Sequence, residues 1–278
     1  MAKLKTYIEI ELVIIYNFTN IYFENMKITL LGSGTSQGVP VIACECVVCV
    51  SKDIKDKRLR SSIMIEVDGL NIVIDTGPDF RQQMLTQSVK KVDAILFTHE
   101  HIDHVGGLDD VRSFNYKWKC DMPIYCSDNV LLALKNQFSY IFSNSKYPGV
   151  PKVDVNIINN ETFKISSTEI TPISAIHYKL PVFGFRIKDF IYLTDLSFIS
   201  EKEKNKMFNA EVIILDSLRI EPHMSHLCLQ ESIDLLKELK PRKAYLTHIS
   251  HLMGLNSKVN KELPGFIQLA YDGQIINL

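Results

Sequence analysis

Short aliphatic and β-branched runs at residues 28–31, 62–67, 71–75, 92–97, 123–126, 170–176, 182–187, 190–193 and 212–215 alternate with loops and amphipathic segments. This alternation predicts a mixed α/β architecture and argues against an all-α or all-β chain. Asp68 and Gly69 separate two of the runs, and that dipeptide predicts a tight type I′ hairpin turn. The first run ends in a turn-rich loop carrying Gly32, Gly34 and Gly38. Helices are predicted from about Asp79, over residues 108–114, over 129–142 and over 229–239. In the last of these Leu229, Ile233, Leu236 and Leu239 share one face, and Pro241 stops the helix.

With 278 residues the chain can bury a sizeable core, and it shows no internal repeat that would divide it. We expect one domain over residues 26–278. Residues 1–25 are expected to be a dispensable extension or an upstream mis-called start, because Met26 and Lys27 lead straight into a strand-like run; an added edge strand or helix is the alternative. Glu9 and Glu11 interrupt the apolar part of that segment, so it is poorly built as a secretion signal. No apolar stretch reaches the ~20 residues needed to cross a bilayer. A cytoplasmic protein without a membrane partner is therefore expected.

The 31 basic and 32 acidic side chains leave a formal charge of -1. That balance lacks the broad basic field by which proteins grip nucleic acid, so no nucleic-acid partner is expected. A homodimer is compatible with everything in the sequence.

Polar residues recur at one kind of place: His99, His177, Asp195, Asp216 and His248 each sit at or just beyond the end of an apolar run. Strand ends present side chains from a stiff scaffold. The densest group is His99, Glu100, His101, Ile102, Asp103, His104, an H-x-H-x-D-H loop directly after residues 92–97. Three imidazoles and a carboxylate on one loop are the donors of a binuclear metal site. Nitrogen and oxygen donors together suit Zn, Mn or Fe, whereas Mg and Ca prefer oxygen alone.

With these motifs the chain resembles the metallo-β-lactamase-fold hydrolases, and among them the PhnP-like phosphodiesterases. The resemblance runs from Met26 nearly to the C-terminus. It rests on the Leu31-Gly32-Ser33-Gly34-Thr35-Ser36-Gln37-Gly38-Val39-Pro40 loop, Cys44, Cys46 and Cys49, Asp75-Thr76-Gly77, the histidine loop, Asp195, and Leu246-Thr247-His248-Ile249-Ser250-His251. It implies a four-layer αββα sandwich with two divalent ions, Zn or Mn, at one edge. His99, His101 and His177 would hold one ion, and Asp103, His104 and His248 the other. Asp195 would bridge them. Such a pair lowers the pKa of a shared water and supplies the nucleophile for phosphodiester cleavage.

The resemblance also aligns His226 with a histidine that assists the leaving group, with His223 the weaker candidate. Asp103 would orient the nucleophile besides binding metal, and Asp75 would hold the histidine loop by hydrogen bonds. The implied substrate is a small phosphate ester, cyclic or linear, such as a ribosyl 1,2-cyclic phosphate. Arg58, Arg60, Arg81, Lys179 and Arg219 are candidate phosphate partners and equally plausible solvated charges.

Cys44, Cys46 and Cys49 form C-x-C-x-x-C, three soft donors that need a fourth for tetrahedral zinc. His251 is the natural choice, and the resemblance supports a structural Cys3His zinc. Free thiols or a disulfide are the alternatives, the latter disfavoured by close spacing. Rival activities are a tRNA 3′-processing nuclease, hydrolysis of a lactam or another ester class, and a non-catalytic metal-binding scaffold. The same ligands serve several chemistries on this fold.

Overall fold

The computed structural model describes residues 26–143 and 147–278; the expected extension over residues 1–25 lies outside them. In chain order the first half supplies β1 (Lys27–Gly32), β2 (Ser62–Val67), β3 (Leu70–Ile74), α1 (Phe80–Thr86), β4 (Ala94–Leu96), α2 (Ile102–Val105), α3 (Arg112–Trp118), β5 (Met122–Cys126), α4 (Asp128–Gln137), α5 (Ser139–Phe142) and β6 (Val153–Ile157). The second supplies β7 (Phe163–Ile165), β8 (Thr168–His177), β9 (Leu180–Ile187), β10 (Phe190–Leu193), α6 (Glu201–Lys204), β11 (Val212–Asp216), α7 (Leu229–Leu239), β12 (Lys243–Thr247), α8 (Asn256–Glu262), β13 (Ile267–Leu269) and β14 (Ile275–Asn277).

These strands form two seven-stranded sheets, ordered β14-β1-β2-β3-β4-β5-β6 and β13-β12-β11-β10-β9-β8-β7. Alternate residues of one strand serve different layers. In β3, Ile72 and Ile74 enter the core between the sheets, while Val73 faces outward against Phe80, Met84 and Phe114 of the covering helices. In β10, Phe190 and Tyr192 face inward, and Ile191 and Leu193 pack outward towards Leu235, Leu236 and Leu239 of α7. Burial on both faces explains why residues 72–74 of β3 and the whole of β10 are apolar without a break. Helix, sheet, sheet, helix is the αββα sandwich that the resemblance implied.

The Asp68-Gly69 turn has φ of 50° and 77°, the pair of positive values a type I′ turn requires. Other expectations shift. The strand at residues 92–97 is trimmed to β4. The helix expected over 108–114 is a 3-10 turn, Leu108–Val111, followed by α3. The helix over 129–142 breaks at Phe138, whose φ of -117° and ψ of 45° are not helical. Phe138 and Ile141 are both buried in the outer core, so packing sets the bend.

Pairing direction places the site. β3, β4 and β5 run parallel, as do β10, β11 and β12. β9 is antiparallel to both β8 and β10, so β8 points the same way as β10. The C-terminal ends of these strands therefore gather at one edge. Just past three of them the backbone is left-handed, at Asp75 (φ 66°), Asp195 (φ 56°) and His248 (φ 57°). Non-glycine residues there are uncommon and cluster at functional sites. Gly77 lets the Asp75 turn meet the histidine loop, since a Cβ at this position would lie 2.1 Å from the Asp103 carbonyl oxygen.

Candidate metal centre

At that edge the ligand atoms of His99, His101 and His177 lie within 4.8 Å of one another, and so do those of Asp103, His104, Asp195 and His248. All but His101 are buried. The structure thus brings together every residue expected for the binuclear centre.

The hydrogen bonds fix the imidazole tautomers. Asp75 accepts from the Thr98 backbone N–H at 2.9 Å and from the Thr98 hydroxyl at 2.8 Å. That hydroxyl has spent its only proton, so His99 Nδ1, 2.9 Å away, must donate to it. His104 Nδ1 lies 2.7 Å from Asp75 Oδ2, and His177 Nδ1 lies 2.7 Å from the Ser225 carbonyl oxygen; both partners only accept. Each ring therefore presents an Nε2 lone pair inward, the usual arrangement for metal-ligating histidines. Nε2 of His99, His104 and His248 is buried without a hydrogen-bond partner. Orphaned acceptors of this kind are costly unless a cation satisfies them, so the donor set fits a divalent metal.

Asp195 spans the two groups: its Oδ1 lies 3.2 Å from His248 Nε2 and 4.0 Å from His99 Nε2, and its Oδ2 lies 3.3 Å from His104 Nε2. Asp103 Oδ2 is 3.2 Å from His104 Nε2 and 3.6 Å from His248 Nε2. Burial opposes ionisation of Asp195, but His248 and His104 outweigh it and hold its carboxyl well below the usual range. Asp103 is depressed in the same sense, chiefly by His104. Burial pushes His99 well below its ordinary value, and His177 is lowered for the same reason. His104 is the exception, raised despite burial by Asp195, Asp103 and Asp75. Without a cation those carboxylates favour a second proton on His104, at Nε2, and a bound ion would take that proton's place.

His226 sits beside this cluster, its ring centroid 4.5 Å from that of His177 and 4.7 Å from that of His248. Its Nδ1 is 3.4 Å from Asp216 Oδ1, while Asp216 Oδ2 accepts from the Leu227 N–H at 3.1 Å. Burial works against the imidazolium, yet Asp216 raises the pKa of His226 to about 9. Asp216 Oδ1 also lies 3.7 Å from His248 Nδ1. Asp216 thus stands behind two histidines at once. The sequence marked it only as a carboxylate ending an apolar run, the same signal that Asp195 gave. Thr98 and the Ser225 carbonyl carried no signal of their own. His223 instead turns its Nδ1 to the Ser225 hydroxyl at 3.1 Å and takes no part in either ligand group.

The cysteine loop meets His251 as expected. Sulfur to Nδ1 distances are 3.3 Å for Cys44, 3.4 Å for Cys46 and 3.5 Å for Cys49. A tetrahedral zinc with its usual bond lengths spaces S and N donors by about 3.5 Å, so these four residues fit one. The Cys49 N–H donates to the Cys46 sulfur and, with His251, lowers that thiol to about 6. Burial pushes Cys49 up to about 11.

Of the five candidate phosphate partners, three are engaged elsewhere and a fourth, Arg81, lines a different cavity. Arg58 is buried and donates to the Ser33 hydroxyl at 2.8 Å and to the Ala270 carbonyl oxygen. Arg60 pairs with Asp79 at 3.1 Å. Arg219 donates to the carbonyl oxygens of Glu221 and Pro222. Arg81 lines a cavity under the outer helices with Phe80, Met84 and Phe114. Lys179 alone lines the cavity that opens onto His101 and His177.

Two sheets in an αββα sandwich, with histidines and aspartates converging at one edge, define the metallo-β-lactamase class of proteins. The beta-lactamase superfamily domain matches residues 70–249. A solved diphosphatase from the PhnP family is 38% identical, with a TM-score of 0.86 over 91% of this chain and 97% of that one. The chain belongs to the PhnP family of the beta-lactamase superfamily. An octanoyltransferase of Porphyromonas gingivalis is 37% identical over 251 residues, covering 89% of this chain and 51% of that protein. The chain thus spans about half the length of this curated relative. Zn(2+)-bound PqqB from Methylobacterium extorquens shares the fold, with a TM-score of 0.75 over 91% of this chain and all of that one at 19% identity. Among the described residues no helix is long and apolar enough to cross a membrane.

Proposed function

We propose that the protein is a metal-dependent hydrolase of small phosphoric diesters, with two ions, Zn or Mn, in the histidine and aspartate cluster and one structural zinc in the cysteine site. The single observation carrying this reading is the set of inward, hydrogen-bond-free Nε2 atoms of His99, His104 and His248 around Asp195. The similarity to a diphosphatase supports phosphoryl transfer in particular. A diphosphate bridged between two substituents has the same reacting group as a diester, a phosphorus with one leaving oxygen and one retained substituent. Both linkages fall within the proposal.

Bound ions would supply Lewis acidity and an activated water at neutral pH. His99, His101 and His177 would hold one ion, Asp103, His104 and His248 the other, and Asp195, with an oxygen towards each group, would join them. Asp103 would accept and orient the proton of the attacking water. His226, held at Nδ1 by Asp216, has no hydrogen-bond partner at Nε2 among the described residues. It can therefore deliver a proton to the departing oxygen. The octanoyl-transfer name belongs to a relative half of whose length this chain does not span.

The test is turnover of bis-p-nitrophenyl phosphate by protein loaded with Mn or Zn, followed by a panel of phosphomonoesters, linear and cyclic diesters, diphosphates and a tRNA precursor. Diester or diphosphate cleavage that Asp195→Ala abolishes is expected. Absence of turnover above the metal-free control on every substrate would overturn the reading in favour of a scaffold, and preference for the tRNA would favour the nuclease.

A further inference from the structure

A cavity of about 400 Å³ adjoins the metal cluster, lined by His101, His177, Tyr178, Lys179, Leu180, Met224 and Ser225. Two of these are proposed ligands, so a group bound in the cavity touches the reacting centre directly. The remaining wall is unusual for a site built to hold only phosphate. Tyr178 and Met224 are large, exposed side chains, at 53% and 73% of their full accessibility.

Tyr178 follows the ligand His177 at the tip of the β8–β9 hairpin, with a left-handed φ of 58°. Tyrosine has no intrinsic preference for that conformation. The Tyr178 N–H donates to the Ser197 hydroxyl at 3.0 Å, which anchors the tip. Lys179 Nζ lies 5.2 Å from the Tyr178 ring centroid and has no carboxylate partner among the described residues. An aromatic face, a polarisable thioether and an unpaired cation therefore meet beside the histidines. Aromatic rings stack on such faces, methionine sulfur packs well against ring edges, and an unpaired lysine attracts phosphate oxygens.

We propose that this cavity holds a planar aromatic substituent of the substrate, packed by Tyr178 and Met224, while Lys179 engages a second phosphoryl group next to the one cleaved. The inference rests on the phosphodiesterase reading and narrows it to nucleoside-like diphosphates. Tyr178 and Lys179 are then specificity-determining residues.

The experiment compares three probes on metal-loaded protein: dimethyl diphosphate, adenosine 5′-methyl phosphodiester and adenosine methyl diphosphate. The wild type is expected to show its lowest KM for the last. Tyr178→Ala should raise KM for the adenosine probes at least tenfold more than for dimethyl diphosphate, with Tyr178→Phe restoring the preference. Lys179→Met should raise KM for adenosine methyl diphosphate more than for the phosphodiester. Metal content of each variant shows that the cluster is still loaded. Equal KM for adenosine and methyl diphosphates, or a preference unmoved by Tyr178→Ala, overturns the inference while leaving the hydrolase reading standing. If the wild type cleaves neither these probes nor any substrate of the wider panel, that reading fails. Calorimetric binding of adenosine methyl diphosphate then decides the cavity separately: binding lost in Tyr178→Ala upholds it, and no binding to the wild type refutes it.

Discussion

Replacing Asp75 by Asn isolates the hydrogen bonds behind the candidate metal centre from the proposed ligands themselves. Asp75 is fully buried and touches no proposed ion; its oxygens accept from Thr98 N, Thr98 Oγ1 and His104 Nδ1. Asparagine matches its shape and tolerates the left-handed φ of 66° better than most residues, so backbone strain is not the variable. The amide has one accepting oxygen where the carboxylate has two. With that oxygen on Thr98 N–H, the amide NH2 faces His104 Nδ1 and forces the ring proton onto Nε2, where a ligand lone pair is required. With the amide flipped, two N–H groups oppose one another at Thr98. Either way one buried donor is mispaired, at a cost of about 1–3 kcal/mol. Loss of such support weakens metal binding about 10- to 100-fold, or about 1.4–2.7 kcal/mol. Metal affinity by competition with a fluorescent chelator is the assay, with melting of the metal-free protein as control. Affinity within threefold of wild type would refute the tautomer argument.

Cys46→Ser should lower zinc content and melting temperature, read by elemental analysis and calorimetry; unchanged zinc and melting would remove the structural site. His226→Ala should reduce kcat by about 10²-fold or more for alkyl leaving groups and much less for p-nitrophenolate, which departs without a proton; equal losses on both would exclude proton delivery. Arg58→Met removes the donor to the Ser33 hydroxyl at 2.8 Å and to the Ala270 carbonyl oxygen, both buried contacts. Leaving a buried acceptor unpaired costs about 1–3 kcal/mol, measurable by urea denaturation, and unchanged stability would refute this role. Dialysis against a strong chelator should abolish turnover and Mn or Zn should restore it, with retained activity in the stripped protein as the refuting outcome.

The histidine loop, Asp195 and His248 were legible because ligand chemistry forces a few residue types into tight spacing after strands. Central strands such as β10 and β11 were equally legible, since burial on both faces leaves an unbroken apolar run. Peripheral strands were not: β6 carries Asp154 and Asn156, and β7, β13 and β14 each have only three residues. Thr98 and the Ser225 carbonyl escaped notice because any residue offers a carbonyl and a threonine in a strand is ordinary. Arg58 was misjudged for a related reason. Its partners, Ser33 and Ala270, adjoin it only once β1 and the loop after β13 fold beside it.

The left-handed corners at Asp75, Asp195 and His248 bear on any effort to harden this protein against heat. Glycine would relax each corner, yet at Asp75 it also strands the buried Thr98 and His104 donors, so a screen that rewards thermal survival of the metal-free chain alone has something to gain from it only at Asp195 and His248. Each gain would disarm the molecule, because the side chain removed is the one the corner exists to aim. A stabilising library should hold these three positions constant and seek its improvements in the outer helices.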